Sequence, residues 1–368
     1  MIRPAFGLLL FLTLASACGA DEPAQPTPGE DAARPGTSST GGRDAGGSTG
    51  GRADAGSADA GSKGGARTDA ATGARSSDGG SKPGDTDPPE LTTTDAGSPA
   101  DRGDADVDNP TPTVPSLPPV QNTDGNGPFP TKQELQMGPS KTSGIFRPAE
   151  LGKDGVKHPI FVWGCGGTAT PASYADQLSR VASHGFVVVA EVAEIGDDGA
   201  PLKKSIDWIV AENDRVDSPF YQRLNVDKIA LGGHSIGSVN SFYLATDPRL
   251  TTTLHVAGGS LDNVNDPFAP TTGMGGKKLV HPVAYICSAS DVFGNVEKTE
   301  KDYGNTKAPT FMTTITGADH TGAPRAGLAA IIAWLRWHLG GETERRAQFL
   351  EADGTFTTGK FVSKNKNW

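Results

Sequence analysis

Hydrophobic and polar positions divide the chain into two unequal parts. From about residue 126 onward, short apolar runs alternate with stretches whose apolar residues recur at helical spacing. Ile160-Phe161-Val162-Trp163, Phe186 to Val189, Ile229-Ala230-Leu231, Thr253 to Ala257, Val283 to Ile286 and Phe311 to Ile315 read as buried strands. Between them, Tyr174, Leu178 and Val181 mark one face of a helix that ends at His184-Gly185, and Leu202 to Ile209 forms another. Val239, Phe242, Tyr243 and Leu244 keep helical spacing up to Asp247-Pro248, and Leu328 to Leu339 is a last amphipathic helix. Repeated strand-helix units predict an α/β fold, with a mostly parallel twisted sheet covered by helices on both faces. Roughly 240 residues suffice for one such core and leave little for a large cap. An open, shallow cleft is therefore expected.

Upstream the pattern stops. From Gly19 to about Gly125 the chain is Gly, Ser, Ala, Asp, Thr and Pro with almost no large apolar residue, and it cannot bury enough surface to offset ordering entropy. It reads as a disordered tether whose root-mean-square span is roughly 50 to 60 Å. Residues 1 to 18 read as an export signal: Arg3, an apolar stretch from Ala5 to Ala15, then Ala15-Ser16-Ala17-Cys18. That stretch falls short of the ~20 apolar residues a membrane-spanning helix needs. Cys18 after a small residue resembles a bacterial lipobox, with Leu14 one place earlier than the commonest pattern, so lipidation at Cys18 is expected. Ordinary cleavage after Ala17 is the alternative. The expected division is thus signal 1–18, tether 19–125 and catalytic domain 126–368, in an exported protein held in the cell envelope or secreted.

Charge narrows the partners. A net charge of −10 and a pI of about 5.2 argue against nucleic acid or an anionic membrane surface. Besides Cys18 only Cys165 and Cys287 remain, so no cysteine set for a metal exists. No metal and no organic cofactor are expected. The expected partners are a substrate and, through the lipid anchor alone, a membrane, with the chain a monomer.

The candidate chemistry centres on Lys228-Ile-Ala-Leu-Gly-Gly-His-Ser-Ile-Gly-Ser238, a strand that breaks into Gly-x-Ser-x-Gly and then a helix. The bare pattern recurs in Gly46-Gly47-Ser48-Thr49-Gly50, where no strand can form, so it is the setting that nominates Ser235. Gly233 and Gly237 flank it because side chains at those positions would collide across a sharp turn. The amide of Ile236, at the helix N-terminus, is placed to meet an oxyanion formed at Ser235. In such sheets an acid and a histidine follow the serine in that order. Of the seven histidines, only His320 and His338 come late enough, and His338 falls inside a helix. His320, in a loop after the strand Phe311 to Ile315, is the better base. Asp291, at the end of Val283-Ala-Tyr-Ile-Cys-Ser-Ala-Ser-Asp, is the preferred acid, with Asp262 and Asp266 in competition and Asp319 next to the histidine itself. A second oxyanion donor is expected from the turn Gly164-Cys165-Gly166-Gly167-Thr168, where Cys165 reads as a packing residue.

With these residues placed, the chain from about 140 to 345 resembles the α/β-hydrolase superfamily, in its dienelactone-hydrolase and cutinase-like branch that includes bacterial polyester hydrolases. The carriers are Leu178-Ser-Arg-Val-Ala-Ser-His-Gly-Phe-Val-Val-Val189, Val226-Asp-Lys-Ile229 leading to Gly-His-Ser-Ile-Gly, Asp291 and His320. The resemblance implies carboxyl-ester hydrolysis through an acyl-enzyme, with the amides of Ile236 and Gly167 as oxyanion donors. It also places Cys165 and Cys287 on strands separated by others, which argues against a bridge. Polyester hydrolases of this branch carry an aromatic residue where Gly167 stands and a tryptophan where Ser260 stands. The expected substrates are consequently short or aliphatic esters or accessible polyesters, rather than poly(ethylene terephthalate). A peptidase or thioesterase on the same fold, and a surface binding protein with a vestigial triad, are the rival readings.

Overall fold

The apolar runs become strands of one sheet, and most extend beyond the runs that announced them. The computed structural model describes residues 116–259, 278–293 and 295–368. The export-signal reading, Cys18, nearly all of the tether reading, Ser260, Asp262 and Asp266 fall outside the described residues. The strands are β1 (Thr131–Met137), β2 (Ser143–Pro148), β3 (His158–Gly164), β4 (Val187–Glu191), β5 (Leu224–His234), β6 (Leu250–Val256), β7 (Val283–Ser290), β8 (Thr310–Asp319) and β9 (Phe361–Lys366). The helices are α1 (Ala175–Ser183), α2 (Ala200–Asp214), α3 (Ile236–Ser241), α4 (Asn295–Asn305), α5 (Ala323–Ala326), α6 (Leu328–His338) and α7 (Arg346–Leu350).

The sheet runs β1-β2-β4-β3-β5-β6-β7-β8-β9. Strands β4 through β8 pair in parallel, while β1, β2 and β9 are antiparallel additions at the two sides. Alternation along the strands separates two cores. Phe161, Trp163, Val188 and Phe311 point to the side covered by Leu178 and Val181 of α1 and by Ile331, Trp334 and Leu335 of α6. Ile160, Val162, Val187, Val189 and Leu231 point to the other side, beneath Leu202, Ile206 and Ile209 of α2. Each such side chain, fully buried, contributes about 1.5–3 kcal/mol. The fold is therefore the expected α/β arrangement with helices on both faces.

Connectivity sets where a ligand can sit. From β3 the chain crosses by α1 to β4 on one side, then by α2 to β5 on the other. The crevice beyond the carboxyl ends of β3 and β5 is thus a topological switch point. Packing reaches back past position 126 to Leu117, which is buried. Arg180 donates to the carbonyls of Thr123 and Gly125, and Arg336 to that of Pro118, so charged side chains fasten a segment with little apolar content.

Candidate active site

Ser235 follows β5 directly and caps α3 with φ 54° and ψ −118°, a backbone conformation that an L-residue adopts only under constraint. Its amide donates to the Val256 carbonyl (3.0 Å), and its carbonyl accepts from Val239 N (3.0 Å), which fixes the turn from both ends. The neighbouring backbone is very close. A Cβ on Gly237 would lie 2.1 Å from the Gly164 carbonyl oxygen, and one on Gly233 would lie 2.5 Å from Gly237. The two glycines flanking the serine thus answer to a real collision, and Gly237 also lets the turn after β5 stack on the turn after β3.

His320 comes first after β8 and Asp291 first after β7. His320 Nε2 lies 2.9 Å from Ser235 Oγ, and His320 Nδ1 lies 2.9 Å from Asp291 Oδ2. With the carboxylate accepting from Nδ1–H, Nε2 carries the lone pair that faces the serine hydroxyl. The Asp291 side chain is wholly buried, and that of His320 is 11% exposed. Asn295 Nδ2 donates to Asp291 Oδ2 (3.0 Å) and the Phe293 amide to Oδ1 (2.9 Å). Burial pushes the Asp291 carboxyl up, but His320, Asn295 and the Phe293 amide together outweigh it and hold the group below its ordinary value. The carboxylate is thereby kept ionised beside the imidazole. Phe293 also sets its ring edge-on to His320, at 4.6 Å between centroids.

The other candidates have other places. Asp319 Oδ1 accepts from Gly322 N (2.7 Å) and from the Thr321 hydroxyl, so it closes the turn before α5. His338 packs in α6 against Trp334 and Trp337, at 4.3 Å from each. Cys165 and Cys287 are buried and unbridged, with β5 and β6 between their strands. Burial pushes both thiols up, that of Cys287 to about 12. In the turn after β3, the Cys165 amide is spent on the Glu191 carbonyl (2.9 Å) and the Gly166 amide on the Tyr174 hydroxyl (2.9 Å). Among the described residues, no group of three histidine, cysteine or acidic side chains is arranged to hold a metal, and no helix is long and apolar enough to cross a membrane.

Several residues around this constellation went unread in the sequence. Asn295 stands four positions after Asp291 at the start of α4, a helix so polar that no apolar period announces it. Tyr174 reads as an apolar face residue, yet its hydroxyl is 2.8 Å from His234 Nδ1. His234 itself lay inside the serine motif with no partner that sequence spacing could supply.

A family model described as PET hydrolase-like, the PETase family, matches residues 104–367. No individual protein of curated function matches the chain. The chain belongs to the PET hydrolase-like family, and is accordingly an ester or polyester hydrolase with the α/β-hydrolase fold.

Proposed function

We propose that this PET hydrolase-like protein is an exported serine ester hydrolase, lipid-anchored at Cys18, in which Ser235 is the nucleophile, His320 the base and Asp291 the orienting acid. The observation that carries the reading is the unbroken line of hydrogen bonds from Asp291 through His320 to Ser235. Along that line, Nε2 of His320 takes the hydroxyl proton as Oγ attacks an ester carbonyl, and Asp291 stabilises the imidazolium that forms. The oxyanion is received by two amides. That of Ile236, first residue of α3, has no intrahelical partner. Gly167 follows two amides in its turn that are already engaged, by Glu191 and by Tyr174. Return of the proton from His320 expels the alcohol, and water repeats the cycle on the acyl-enzyme to release the acid.

Short or aliphatic esters and accessible polyesters are the proposed substrates. Gly167 offers no side chain at the oxyanion turn, which leaves the ring of Phe293, edge-on to His320, without an aromatic counterpart at that position. A polymer of flat aromatic units gains less from one such ring than from two.

Ser235→Ala is expected to lower p-nitrophenyl acetate and butyrate turnover by about 10⁴-fold or more, as removal of a nucleophile does, while leaving the thermal midpoint unchanged. Covalent labelling by a fluorophosphonate should disappear with it. Retained turnover in this variant would sink the assignment. Ester, thioester and amide substrates compared on one preparation should show ester hydrolysis dominant; a preference for amides or thioesters would favour the peptidase or thioesterase reading. Absence of labelling in the native protein would favour a binding module.

A further inference from the structure

Three turns that lie far apart in sequence meet at Ser235, and one buried path of hydrogen bonds joins them. The Gly166 amide donates to the Tyr174 hydroxyl (2.9 Å), which donates to Nδ1 of His234 (2.8 Å), whose Nε2–H donates to the carbonyl of His320 (2.9 Å). Each direction is forced. A backbone N–H can only donate and a backbone carbonyl can only accept, so the hydroxyl proton and the imidazole tautomer between them have one consistent arrangement. Tyr174 and His234 are each 6% exposed, so neither can exchange its partner for bulk water without cost. The two contacts made by His234 span 60 and 86 positions of chain.

We propose that Tyr174 and His234 form a positioning brace that holds the turn after β3 and the His320 loop in register across Ser235. The inference rests on the hydrolase reading above. The brace acts on the reaction at two points without touching substrate. At one end it occupies the Gly166 amide, which orients the turn so that the following amide, that of Gly167, faces the cleft. At the other it holds the His320 backbone, while Asp291 holds the His320 ring from the opposite direction. The base is then fixed through both its main chain and its side chain. Packing alone does not explain the arrangement. The Tyr174 ring is already accommodated edge-on against Trp163 at 5.7 Å, and a phenylalanine would fill that space. The hydroxyl serves the path. A Cβ on Gly166 would come within 2.8 Å of His234 Nδ1 and 3.0 Å of the Tyr174 hydroxyl, so the turn has been drawn tightly onto the pair.

The test is Tyr174→Phe in the full chain, with His234→Gln and His234→Phe alongside. Tyr174→Phe is expected to lower kcat for p-nitrophenyl butyrate by roughly tenfold with KM within about twofold, since small misplacement of catalytic groups costs rate rather than binding. Fluorophosphonate labelling of Ser235 should slow in parallel. His234→Gln keeps a donor near the Nε2 position and should retain more kcat than His234→Phe, which keeps the ring shape but loses both bonds. An unchanged kcat in folded Tyr174→Phe, or a rise in KM at constant kcat, overturns the brace. Should Tyr174→Phe fail to fold, equal kcat in the two His234 variants overturns it. Ser235→Ala assayed beside them separates the two readings. If that variant stays active, the hydrolase assignment has failed; if it is inactive while Tyr174→Phe is fully active, only the brace has failed.

Discussion

Ser235 holds a left-handed φ of 54°, and the surroundings explain why that strain persists: its amide and carbonyl are both committed, and glycine backbone presses on the turn from Gly164. Asp291 is the more sensitive neighbour. Both its oxygens are occupied by donors, His320 and Asn295 on one and the Phe293 amide on the other. Asp291→Asn would turn an amide NH₂ toward one of those donors and favour the wrong His320 tautomer. The expected result is a fall in kcat of about 10⁴-fold with KM little changed, by analogy with triads in which the acid has been neutralised. Kinetics on samples of matched thermal midpoint check it; a loss below tenfold would argue that Asp291 is not the orienting acid. Ser235, Asp291 and His320 were all legible in the sequence because each follows a recognisable strand. Tyr174 and His234 were legible as residues but not as partners, since hydrogen bonding across 60 positions leaves no local pattern.

Among the elements, the central strands were legible and the outer ones were not. β3 to β8 each carry an apolar stretch because both their faces are covered, nearly unbroken in β3, β4 and β7 and interspersed with threonine in β6 and β8. β1 is mostly exposed and β9 carries Lys364 and Lys366, so each looks like loop until a neighbour pairs with it. Helix ends also moved: the stretch from Val239 to Leu244 is a short α3 that tightens into a 3₁₀ turn over Phe242–Leu244. β3, β5 and α3 meet backbone against backbone. Gly164 and Gly233 are register partners in adjacent strands, and Gly237 sits against both. Gly237→Ala would place a methyl 2.1 Å from a backbone oxygen that cannot swing aside. That change is expected to destabilise the fold by about 3 kcal/mol or more, in the range of severe overpacking, and to abolish turnover. Denaturant titration measures it, and a stability within 0.5 kcal/mol of wild type, roughly the scatter of surface substitutions, would refute the close stacking.

Across the whole molecule, buried imidazoles couple stability to pH. Burial, reinforced for His234 by the nearby His320, lowers His234 to about 4, and burial lowers His255 to about 3. His184 and His338 shift in the same direction. Unfolded imidazoles take up protons below about pH 6.5, whereas these folded ones do not until well below that. Between those limits the unfolded state binds more protons, so stability falls as pH falls, by up to about 1.4 kcal/mol per pH unit for each fully buried imidazole. The thermal midpoint should therefore change little between pH 7 and 8 on account of these groups and drop steadily from about pH 6.5 to 5. Replacing His255, which stacks on Phe242 at 3.8 Å, with phenylalanine should make that drop shallower. An equally steep decline in His255→Phe would exclude it as a contributor. Arg336 and Arg345 share the buried Glu342 and hold the Pro118 and Val120 carbonyls, so the first described residues are fastened by ion pairs and hydrogen bonds as well as by the buried Leu117.

What the sequence by itself determined is the alternation of buried strands and amphipathic helices, the Gly-His-Ser-Ile-Gly turn in its strand-to-helix setting, and the order in which an acid and a histidine follow it. These are local signals, written in periodicity and in backbone constraints that act within a few residues. Only the tertiary structure decided which strands are neighbours, where the polar edge strands pair, and how Tyr174, His234 and Asn295 attach to the site. Those outcomes depend on which carboxyl ends the parallel sheet brings together, and on hydrogen bonds satisfied across long stretches of chain because burial leaves no water to satisfy them.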